Sequence, residues 1–109
     1  MDFEGTWHIY EMEMWGKEYF NMEVQAFITI KSDCLGNFQF GLVSGEIDGN
    51  VVDHVDGKKF EFTFEGTDEN DDTSGSGWIK LKDKNIVEGE FRFHQGDDSK
   101  FLARRAKMV

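Results

Sequence analysis

An all-β fold of about eight antiparallel strands, wound as a meander into an up-and-down barrel, is predicted by three observations in this sequence. Polar and apolar residues alternate along short segments, most plainly in "KFEFTFEG". There Phe60, Phe62 and Phe64 fall on one side of an extended chain and Glu61, Thr63 and Glu65 on the other. Glycine is frequent, at 12 residues, while proline is absent, which suits short strands joined by tight turns. No stretch sustains the three- and four-residue apolar spacing of a buried helix face. Without helical crossovers the strands must run antiparallel.

The segments expected as strands are roughly 5–14, 20–31, 36–47, 50–55, 58–65, 77–83, 85–94 and 100–107. In the first, Trp7 and Ile9 share one face and Tyr10, Met12 and Met14 the other; a β-bulge near Tyr10 would turn both groups inward. Left outside, Met12, Met14 and Trp15 would form an apolar patch that marks a partner surface. Trp15-Gly16-Lys17 is expected to close the first hairpin. The second segment alternates Val24, Ala26, Ile28 and Ile30 with Gln25, Phe27, Thr29 and Lys31, and its start, "EYFNMEVQAF", also suits a turn or two of helix. In the third, Phe38, Phe40 and Leu42 share a face.

Asp48-Gly49 and Asp56-Gly57 read as two-residue hairpin turns, because glycine tolerates the positive φ such turns need. The run "TDENDDTSGS" between Gly66 and Gly77 is polar throughout and is expected as the longest loop. Asp83-Lys84-Asn85 and the stretch Gln95 to Ser99 supply the last turns, and Phe91 and Phe93 alternate with Glu90, Arg92 and His94 between them. Closing such a meander removes the exposed edges that invite aggregation. A barrel of about eight strands has an interior that is filled by side chains or holds one small ligand.

The 109 residues fit one domain, 1–109. Asp and Glu number 22 against 12 Lys and Arg, a net charge of −10. Such a surface repels phosphate backbones and anionic lipid, so neither nucleic acid nor membrane is an expected partner. Cys34 is the single cysteine, which excludes an internal disulfide and favours a reducing compartment. With no charged-then-apolar leader ahead of Phe3 and no long apolar run, a cytoplasmic location is expected.

Gly5-x-Trp7 on a first strand, together with an arginine in the terminal "FLARRAKMV", resembles the lipocalin-type calycins. The resemblance implies a barrel whose Trp closes one end while an arginine of the last strand packs over the indole. Arg104 is the residue assigned to that contact, with Arg105 as the other choice. The chain is shorter than those proteins and has neither their C-terminal helix nor their disulfides. The stretch "GSGWIKLKDKNIVEGEFRFHQGDDSKFLARR" also looks like the tail of small uncharacterised bacterial β-proteins.

Catalytic and metal patterns are incomplete. His94 beside Asp97, Asp98 and Ser99 has the residue types of an activated nucleophile, but all fall in one short turn, where Asp and Ser serve backbone donors. Asp68, Asn70 and Asp72 match the first ligands of a calcium loop, yet Thr73 and Ile79 stand where its Gly and Glu are required. His8, His54 and His94 lack short ligand spacing. No metal and no cofactor is expected.

The reading that follows is a non-enzymatic protein that binds a small apolar or aromatic ligand inside its barrel. The lining residues would be Tyr10, Phe38, Phe40, Phe60, Phe62, Trp78, Phe91 and Phe93. The alternative is an acidic interaction module with a solid core, which meets a protein partner or a second copy as a homodimer. A small hydrolase or isomerase using His94 or Tyr10 is the third option.

Overall fold

The computed structural model describes residues 1–106. Eight antiparallel strands form one closed barrel in chain order: β1 (Gly5–Met12), β2 (Phe27–Ile30), β3 (Leu35–Phe40), β4 (Val43–His54), β5 (Gly57–Asp68), β6 (Asp71–Asp83), β7 (Ile86–Phe93) and β8 (Asp98–Arg105), with β8 pairing back onto β1. The only helix among the described residues is a single turn, α1 (Lys17–Phe20).

Cross-strand register explains why the alternation closes into a core. Ile47 stands opposite Phe64, Gly49 opposite Phe62, and Phe62 in turn opposite Gly77. Gly89 stands opposite Phe101. Large rings thus face inward glycines on neighbouring strands. A Cβ built on Gly77 would lie 2.5 Å from the Phe62 ring, and one on Gly89 2.6 Å from Phe101. The glycines are holes that the rings occupy, and this fit lets so many Phe side chains share one small lumen.

Several turns fall elsewhere than the sequence pattern places them. Asp48-Gly49 is not a hairpin: β4 runs straight through it, and Gly49 faces inward beneath the Phe60 ring. The turn between the third and fourth strands is instead at Gly41, whose φ of +56° suits glycine. The polar run after Gly66 is not a loop. It forms the end of β5 and the start of β6, with only Glu69 and Asn70 between them. These strand ends are polar because their side chains are exposed or only part-buried.

The second segment shortens to β2, because α1 and an irregular stretch occupy its first half. The first strand ends at Met12, and the register slips between Ile9 and Glu11. This is the bulge anticipated near Tyr10. It brings Met12 into the core with Trp7 and Ile9, but leaves Met14 exposed. The last strand ends at Arg105; the expected end at 107 lies outside the described residues.

Candidate functional site

Five of the expected lining residues, Phe38, Phe40, Phe60, Phe62 and Phe91, are buried in the lumen, and Phe93 is partly buried beside them. Their rings touch one another: Phe91 lies 4.9 Å from Phe38 and 5.2 Å from Phe40, centroid to centroid. The space for a ligand is therefore occupied by the side chains that would have lined it.

Tyr10 and Trp78 correct the expected lining. Neither belongs to the core cluster. Trp78 alternates with inward Gly77 and Ile79, so it stands on the outer wall, where its Nε1–H donates to the Glu90 carboxylate at 3.3 Å and the Lys59 ammonium sits 4.6 Å from the ring. Tyr10 lies at the bulge with the Arg104 guanidinium 4.2 Å from its ring. The Gly75-x-Gly77-x-Ile79 alternation carried the correct phase for β6.

Both ends of the barrel are covered. At the end holding the chain's start, the buried Trp7 donates its indole N–H to the Phe3 carbonyl at 2.9 Å, and Phe3 packs on Phe60. The arginine over that indole is Arg105 and not Arg104, at 4.2 Å. Strand alternation explains the correction, since Phe101, Ala103 and Arg105 share the inward face of β8. Arg105 also donates to the carbonyls of Glu4 at 2.8 Å, Asp2 at 3.1 Å and Lys84 at 3.2 Å, which ties the N-terminal segment and the β6–β7 turn across the indole.

The opposite end is covered by the β1–β2 connection, residues 13–26. Phe20 is buried, and its carbonyl accepts from the Gly41 N–H at 2.9 Å. Tyr19 lies against Gly41, where any side chain would collide with the ring. Trp15, only partly buried, packs on Phe40 at 5.2 Å and on Tyr19 and Phe93 at just over 6 Å. The Asn21 carboxamide accepts from the Ala26 N–H at 2.8 Å, and the Ser99 hydroxyl accepts from the Met14 N–H at 3.2 Å. This cover was not foreseen. The aromatic cluster in "WGKEYF" was its signal, because a plain hairpin tip has no use for three rings.

A shallow groove crosses the outer wall of β4 to β7. One rung of it reads Asp48, Thr63, Ser76 and Arg92, followed by Asp98 on β8, and the next rung holds Glu46, Glu65 and Ser74. Its walls are side chains projecting from the sheet, and its floor consists of short hydroxyls.

The catalytic-looking turn does not assemble. Ser99 is fully buried, and its hydroxyl donates to the Lys100 carbonyl. Asp98 pairs with Arg92 at 3.7 Å, and His94 is exposed. The histidines are apart as well: His8 lies on β1 opposite Arg104, and His54 contacts Glu61 at 3.1 Å on the β4–β5 hairpin. Among the described residues no three His, Cys, Asp or Glu side chains are grouped to hold a metal ion. Asp56 is held below the usual carboxylate range by a short hydrogen bond from Lys80. No described helix is long and apolar enough to cross a membrane.

Fold and surface together define an all-β, up-and-down barrel with a filled lumen and two covered ends, compatible with a calycin-like architecture. Comparison with protein-family models, curated proteins and solved structures returns no match.

Proposed function

We propose that the protein is a non-enzymatic binding module that meets its partner through its outer surface, an acidic interaction domain on a solid barrel. The observation that carries this reading is the packing of the lumen. Inward glycines are matched by Phe rings close enough that even a methyl group would collide, so a ligand would have to displace core rings at several kcal/mol apiece, about 3–5 for a deleted Phe. The net charge of −10 supports a protein partner with basic character over nucleic acid or anionic lipid.

A second reading is favoured by one observation. Trp15 within the 13–26 cover and Phe93 beneath it are only partly buried, so a flat apolar ligand could be taken up between them if the cover lifted. Titration with a fluorescent apolar probe, followed by Trp emission and thermal midpoint, separates the two readings. A ligand bound only by the native state must raise the midpoint. The solid-barrel reading expects no saturable rise; a saturable one moves the function to the covered end. Light scattering reports whether a second copy of the chain is itself a partner.

A further inference from the structure

The end of the barrel closed by residues 13–26 combines two features. First, it exposes large apolar side chains. Met14 is 49% exposed, Met22 53% and Val24 43%, all on this one connection. Trp15, on the same connection, is partly buried against Phe40, Tyr19 and Phe93. Methionine adapts its shape to a partner more readily than branched side chains do. Exposed apolar surface of this kind on a connection, where polar residues are the norm, marks an interaction site.

Second, the same end concentrates negative charge with few cations to answer it. In an up-and-down barrel the β1–β2, β3–β4, β5–β6 and β7–β8 connections all lie at one end. The first carries Glu13, Glu18 and Glu23; the tip of the β5–β6 hairpin carries Asp68, Glu69, Asp71 and Asp72, counting its strand ends; the β7–β8 turn and the start of β8 add Asp97 and Asp98. Lys17 is the one cation on the β1–β2 connection, while Arg92 on β7 stands beside Asp98 and Lys100 on β8 lies against Glu13. All nine carboxylates are exposed. Of these nine, only Asp98 has an ion-pair partner among the described residues, Arg92. At the other end the charges answer each other, with Lys58 on Asp53 and Lys80 on Asp56.

We propose that this end docks a cationic amphipathic segment of another protein, with large apolar side chains seated on Met14, Trp15, Met22 and Val24 and flanking Lys or Arg facing the acidic turns. The proposal rests on the reading that the protein acts through its outer surface. Charge complementarity selects this occupant. A second copy would set one acidic end against another, and an anionic membrane would be repelled. The docking mode is the laying of an amphipathic segment on an apolar surface with a charged surround.

The test is fluorescence anisotropy of a labelled amphipathic Leu/Lys helical peptide titrated with the full chain. Saturable binding is expected, weakened about tenfold or more by the triple substitution Met14→Ser, Met22→Ser, Val24→Ser. The same loss is expected from Asp68→Asn, Glu69→Gln, Asp71→Asn, Asp72→Asn, and Val51→Ser with Val55→Ser at the far end should change nothing. Circular dichroism confirms that each variant is folded. No saturable binding overturns the proposal, as does equal binding of an all-polar Lys peptide, which would reduce the effect to bulk charge. Binding that survives the triple substitution but is lost on Ser76→Trp in the outer groove overturns the docking face and leaves the surface reading standing. Absence of peptide binding together with saturable uptake of the apolar probe overturns both.

Discussion

Trp7 and Tyr10 stand three residues apart on β1, each beneath a guanidinium, and the two pairs do different work. The indole of Trp7 is fully buried, and the Arg105 head above it is fixed by three backbone carbonyls. Arg104 over Tyr10 is exposed on the barrel wall and has no comparable frame among the described residues. Trp7→Ala is therefore expected to cost about 3–5 kcal/mol, the range for deleting a buried aromatic. Arg105→Ala should cost about 1–3 kcal/mol through lost charge-assisted bonds and cation–π attraction, and Arg104→Ala about 0.5 kcal/mol or less. Urea denaturation of the three variants checks the order; equal costs for the two arginines would remove Arg105 from the seal. At this scale the sequence was half legible. Trp7 stood out by motif, while the choice between adjacent arginines depended on the phase of a strand whose partner carries a bulge.

Among the elements, the β5–β6 hairpin shows how polar composition conceals strand structure. Nothing in "TDENDDT" alternates, because its side chains lie outside the packed core that writes a period of two into a strand, and that period resumes only at Gly75. Backbone pairing alone holds it, from Thr67 opposite Asp72 to Asp68 opposite Asp71. The turn itself is strained: Glu69 has a φ of +57°, a region that costs a side-chain-bearing residue about 1–2 kcal/mol. Glu69→Gly should relieve that strain and, after the added chain entropy of glycine, raise stability by about 0.5–1 kcal/mol. Calorimetry should show a midpoint a few degrees higher; a lower midpoint would mean that the Glu69 side chain contributes contacts worth more than the strain. The misplaced turn at Asp48-Gly49 has the opposite origin. A sequence pair that often bends the chain here provides room for Phe60.

For the molecule as a whole, stability and recognition share the same charge distribution. A net charge of −10 on a small barrel makes the compact state repel itself, and the carboxylates gathered at the end closed by residues 13–26 carry much of that repulsion. Raising NaCl from about 0.01 to about 0.5 M shortens the screening length severalfold, so the thermal midpoint is expected to rise with salt. A midpoint that falls would show that ion pairs such as Lys80–Asp56 and Lys58–Asp53 outweigh the repulsion. The pair at Asp56 acts on the acid side. A carboxyl held below its usual range contributes stability that is present at neutral pH and lost as pH falls through the lowered value.

The sequence by itself determined the all-β class and most of the core, because alternating Phe residues on consecutive segments call for antiparallel strands with one apolar side, which either curl into a barrel or split into two packed sheets. It also determined the acidic surface, which needs no folding to be counted. Only the tertiary structure decided that the lumen is full, since that depends on which glycines come to lie opposite which rings across strands. The same holds for the gathering of carboxylates and exposed methionines at one end: they come from connections far apart in the chain, and barrel closure alone brings them together.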